Sequence, residues 1–76
     1  MSKYNGHPSR AAWNVALWIA NDEPLYRAAL RAKQKARSPK EYAPWFFLET
    51  GLTDTDKTPD GYRFSKTSVS RAMAGL

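Results

Sequence analysis

The sequence predicts a mainly α fold: a small single domain of three to four helices, with an acidic loop before the last of them. Three observations predict it. Residues 11–20, AAWNVALWIA, form an almost wholly apolar run; Leu25, Ala28 or Ala29, Ala32 and Ala36 recur at spacings of three and four; and Ser38-Pro39-Lys40-Glu41 closely matches a capping box. One domain is expected over residues 1–76, with an N-terminal arm at 1–8 and a loop at 51–64.

Ser9 follows Pro8 and is a good N-cap, so the first helix is expected at about residues 10–20. A segment apolar on every side is expected to be buried on every side. Asn21 and Asp22 act as terminator and next cap. Glu23 and Pro24 suit the first turn of a second helix over about 23–37, where a carboxylate matches the dipole and a missing N–H does no harm. A third helix is expected from about 39 to 50, ending at Gly51, with a kink or a late start imposed by Pro44. Residues 51–61, GLTDTDKTPDG, carry no helical period and end in a turn signal, Thr58-Pro59-Asp60-Gly61, so a loop or short irregular hairpin belongs there. A last short helix runs from Ser65 or Thr67 to Ala74, with Val69, Ala72 and Met73 inward and Gly75 past its end. The first helix is expected to lie between the second and the kinked third, around a core of Trp13, Leu17, Trp18, Trp45, Phe47 and Leu48.

With 76 residues the chain buries only about 60% of the surface its unfolded form exposes, enough for one core and no deep cleft. Aromatic residues make up 13% and offset the small size, since each buries about 150–250 Å². There is no cysteine, which excludes disulfides, thiolate metal sites and cysteine nucleophiles, and fits a cytosolic setting. No apolar run approaches the roughly 20 residues of a membrane span, and no leader pattern is present, so no membrane role is expected.

Formal charge is +5, unevenly spread: residues 1–40 carry eight basic and two acidic groups, residues 41–61 one basic and five acidic, and residues 62–76 three basic. Such segregation steers a protein towards an oppositely charged partner, nucleic acid or an acidic protein face. The strongest positive feature is a basic ridge on the second helix. Arg27, Arg31 and Lys35 repeat every four residues, Lys33, Arg37 and Lys40 form a neighbouring stripe, and no acid lies between Glu23 and Glu41. With Lys3 and Tyr4 of the arm these are the expected partner-binding residues, Tyr4 and Tyr26 being aromatic anchors at the edge. The bland alternative is a solvated face whose long stems cover Ala-rich surface.

No catalytic set, cofactor site or metal site is expected. The one histidine, His7, has neither a second histidine nor a carboxylate at ligand spacing. Asp56-x-Thr58-x-Asp60-Gly61 resembles half of a calcium loop but carries Pro59 and, at the twelfth position, Thr67, so an ordinary acidic loop is expected. Residues 65–73, SKTSVSRAM, resemble the recognition helix of some helix-turn-helix repressors. The helix that should precede it by three or four residues is missing from the pattern, which leaves a capped C-terminal helix as the better reading.

Tyr4-Asn5-Gly6 followed by WNVALWIANDEPLY over residues 13–26 resembles a set of very small proteins encoded by phages and plasmids. The likeness covers about 30% of the chain and implies a mobile-element origin, not a chemistry. In size and style the chain is also similar to the class of RNA polymerase-binding transcription regulators known from lytic Xanthomonas phage. That likeness implies a non-enzymatic monomer in the host bacterial cytoplasm that binds the β and β′ subunits, inhibits initiation and promotes antitermination. Two other roles remain open: sequence-tolerant DNA binding through the second helix and Arg71, and inhibition of a bacterial defence nuclease.

Overall fold

A computed structural model describes residues 9–76, so Lys3, Tyr4, His7 and the rest of the expected N-terminal arm lie outside the described residues. Four α-helices follow one another: α1 (Arg10–Asn21), α2 (Glu23–Lys35), α3 (Tyr42–Thr50) and α4 (Lys66–Ala74), with a 3-10 turn at Pro39–Glu41 just before α3. The fold is mainly α. Among the described residues the only β pairing is an isolated antiparallel bridge between Lys57 and Arg63.

Local chemistry sets the boundaries. The Ser9 hydroxyl accepts the Ala12 N–H at 3.1 Å and starts α1; Asp22 ends it by donating its own N–H to the Trp18 carbonyl, and its carboxylate accepts the Leu25 N–H to start α2. One residue thus joins two helices. α2 closes at Lys35, two residues before the expected end, because Ala36 is already extended. Pro44 produces the late start: residues 39–41 wind as 3-10 and α3 begins only at Tyr42. The capping box forms only in part, since the Ser38 side chain caps nothing and Glu41 accepts the Arg37 N–H at 3.0 Å instead of that of Ser38. Gly51, at φ 77°, is the left-handed residue that stops α3. The Ser65 hydroxyl accepts the Ser68 N–H and opens α4.

The packing differs from the expected order. α1 packs mainly on α4 and then on α2, α3 packs on α2 and α4, and the backbones of α1 and α3 do not approach each other. The core is Val15 and Ile19 of α1, Ala29 and Ala32 of α2, Ala43 and Phe46 of α3, Val69, Ala72 and Met73 of α4, and Phe64 from the connecting segment. Phe46 stacks on Phe64 with ring centroids 6.3 Å apart and meets Phe47 edge-on at 5.9 Å.

Four expected core residues, Trp13, Trp18, Trp45 and Phe47, are therefore half-buried, and Leu17 and Leu48 lie at the surface, Leu48 at 73% exposure. The cause is angular. Residues 45–48 span about 300° of a helix, so Phe46 and Leu48 sit about 200° apart and cannot both face inward. α1 likewise turns Ala12, Val15 and Ile19 inward, and its two neighbours leave the side of Trp13, Leu17 and Ala20 uncovered.

Candidate functional site

The 51–65 connection is fastened to α1 by a polar latch. Asn14, buried in the middle of the apolar run, donates from Nδ2 to Asp60 Oδ2 at 2.8 Å and accepts the Thr58 hydroxyl at 2.7 Å. Trp18, one turn on, donates its indole N–H to the same Asp60 oxygen at 3.0 Å. Thr58 is held in turn, its carbonyl accepting the Gly61 N–H and its hydroxyl the Tyr62 N–H. An amide in a buried helix face is tolerated only when its bonds are made, and here both its oxygen and its nitrogen make one. Asn14 is not among the expected site residues. Its signal was there, a lone polar side chain inside an apolar run, one turn from a Trp.

The same latch accounts for the calcium-like string. Asp60 is turned to α1, Thr58 is buried, and Asp56 accepts the Thr53 N–H at 2.7 Å, so the oxygens point to separate partners. Among the described residues no three metal-ligating side chains come together.

Most of the α2 ridge is engaged within the fold. Arg31 Nε and Lys35 Nζ bind the two oxygens of Glu49 on α3 at 2.7 and 2.6 Å, and Lys35 lies 5.4 Å from the centre of the Trp45 ring. Lys33 donates to the main-chain oxygen of Leu76 at 2.7 Å and lies 5.9 Å from the Tyr42 ring centre. Arg27 pairs with Glu23 on its own helix, both well exposed. The run without acids in the sequence thus meets one carboxylate from across the fold, Glu49, which takes two of its cations. Charge reversal at Arg31 and Lys35 would set new carboxylates against Glu49 and disturb the α2–α3 contact. Arg37 and Lys40 keep exposed side chains with no ion pair among the described residues.

Two carboxyls are held below their ordinary range. Lys35, then Arg31, stabilise the charged form of Glu49 through hydrogen bonds, and Asn14, then Trp18, do so for Asp60. Both therefore stabilise the fold fully above their unfolded values, near pH 4, and that stability is lost as pH falls through the lowered folded values. Melting followed from pH 7 to pH 2 should show a drop in acid, and combining Glu49→Gln with Asp60→Asn should flatten it. An unchanged pH profile in the double variant would contradict these roles.

Two further surface grooves involve α4. Trp13, Ala16, Leu17 and Ala20 of α1 face Ala72, Gly75 and Leu76 across an open apolar groove of about 250 Å³. On another part of the surface Lys40, beside Pro39 on the 3-10 turn, faces Lys66, Thr67, Ser70 and Arg71 of α4. The expected site residues are brought together only in part: Arg31 and Lys35 meet at Glu49, Arg27 and Arg31 line a concavity with Glu23 and Pro24, Lys33 reaches Leu76, and Lys40 stands apart in the second groove. α4 is not the second helix of a helix-turn-helix, because residues 51–65 separate it from α3 and Phe64 ties that connection into the core.

No described helix is long and apolar enough to cross a membrane. No curated protein and no solved structure matches the chain. Residues 1–74 match a family described as one of unknown function, DUF7249, and the chain belongs to that family.

Proposed function

We propose that this chain is a small non-enzymatic regulator that acts by binding host RNA polymerase at its β and β′ subunits. The observation that carries the reading is the apolar groove of α1 and the C-terminal end of α4. It holds a half-buried Trp beside an exposed Leu, in a chain small enough that each large apolar side chain left outside the core is costly to keep there. Aromatic anchors in apolar concavities carry much of the affinity at protein interfaces. The +5 charge steers the chain towards an acidic face, and the groove supplies the short-range contact. The similarity in size and style to phage polymerase regulators supports the choice of partner.

Titration of the full chain against purified bacterial RNA polymerase tests this. Binding is expected for the parent, with a loss of at least about tenfold in Leu17→Glu and no change in Leu48→Glu, which alters an exposed apolar side chain away from the groove. Both positions tolerate a charge at the surface, so melting temperatures should stay close to that of the parent. No binding by the parent would refute the partner; equal binding by Leu17→Glu would refute the groove.

A further inference from the structure

We propose that the groove between α4 and the 3-10 turn is a docking surface for the phosphodiester backbone of duplex DNA. Cations stand on both of its walls, Lys40 on the turn and Lys66 and Arg71 on the helix, with the hydroxyls of Thr67 and Ser70 between them and no carboxylate in the lining. None of the three cations has an ion pair among the described residues, in contrast to Arg27, Arg31 and Lys35 of α2. All three are exposed, so their charge is available to a ligand without first breaking a contact of the fold.

The helix presents these groups on one side because its other side is fixed. Val69, Ala72 and Met73 are buried, which leaves Lys66, Thr67, Ser70 and Arg71 as the outward stripe. Lys66 and Arg71 lie five residues apart, about 7.5 Å along the axis. That separation spans about two phosphate steps of one strand, at about 3.4 Å per step along the duplex axis. Lys40 adds a charge from the opposite wall, and the hydroxyls can donate to phosphate oxygens between the cations.

The lining also separates the kinds of nucleic acid. Single strands are held by aromatic side chains on which the bases stack, and no aromatic residue lines this groove. Contact limited to cations and hydroxyls suits a duplex, whose bases are already stacked and whose phosphates face outward. The surface is separate from the ion-paired residues of α2, and it shares α4 with the apolar groove, Arg71 lining the one and Ala72 the other.

Fluorescence anisotropy of a labelled 20-base-pair DNA duplex, titrated with the full chain over a range of salt, tests the proposal without any polymerase. Three neutralised phosphates predict a slope of log K against log salt near −2.7, at about 0.9 per contact. Combining Lys66→Gln with Arg71→Gln should bring the slope to about −1, and Lys40→Gln alone should weaken it by about one. Arg27→Gln, which removes an equal charge elsewhere, should leave the slope unchanged. All four positions are exposed, and melting temperatures would confirm that the variants fold. The proposal is overturned if the parent fails to bind the duplex at 50 mM salt, if the Lys66 and Arg71 variant keeps the parent slope, if Arg27→Gln weakens binding as much as Lys40→Gln, or if a single strand or an acidic peptide binds more tightly than the duplex.

Discussion

Phe46→Ala should destabilise the protein by about 3–5 kcal/mol, the usual cost of emptying a fully buried aromatic site. Phe46 is 0% exposed and is the largest fully buried side chain among the described residues. It stacks on Phe64 and belongs to one buried cluster with Val15, Ile19, Val69 and Met73, so its removal opens a cavity inside the core. A domain of 76 residues has a total stability of roughly 4–11 kcal/mol at 0.05–0.15 kcal/mol per residue, so the loss removes from about a quarter of that stability to all of it. Leu48→Ala, two residues on, should change stability by no more than about 0.5 kcal/mol. Urea denaturation checks the pair through midpoints compared at equal slope. Equal losses at the two positions would contradict the orientation of α3.

Asn14→Asp should destabilise the protein strongly despite its small change in shape, and its effect should depend on pH in the opposite sense to the parent. Asn14→Ala already strands the Thr58 hydroxyl in the interior, at a cost of about 1–3 kcal/mol. The aspartate variant loses in addition the donor to Asp60 and sets a second carboxylate where that donor stood, 2.8 Å from Asp60 Oδ2. Like charges at that distance raise one of the two carboxyl pKa values strongly. The repulsive cost is absent below about pH 4 and grows as pH rises through the raised folded value. Melting scans from pH 4 to pH 8 should show the variant losing stability while the parent holds its own. A variant that tracks the parent across this range would show that the latch does not form.

Much of the helical skeleton was legible because its signals are local. Ser9, Asp22 and Gly51 act through hydrogen bonds to residues within four positions, and each does so here. Val69, Ala72 and Met73 face inward as their spacing requires. The core was legible in part only. Large residue type pointed to Trp13, Trp18 and Leu48, whereas the direction each takes follows from helix phase, which favours Val15, Ile19 and Phe46. Phe64 lay in a segment with no period and was hidden for that reason. The ridge on α2 was legible as a pattern of charges, but the carboxylate that engages it, Glu49, comes from another helix, and local spacing carries no information about such pairs. The groove of Lys40, Lys66 and Arg71 joins residues 26 or more positions apart and appears only once α4 is docked on the turn.

The apolar run of α1 has two sides, one closing the core and the latch, the other bearing the groove proposed as the docking surface. Hydroxyl-radical footprinting of the chain, free and mixed with RNA polymerase, tests it directly. Trp13 and Leu17 should react in the free chain and become protected in the complex, while Val15, Ile19 and Phe46 stay unreactive in both. Protection confined to Arg27, Arg31, Lys35 and their neighbours, with Trp13 and Leu17 still reactive, would rule out docking through the groove, and a free chain in which Leu17 is as unreactive as Ile19 would rule out an open groove.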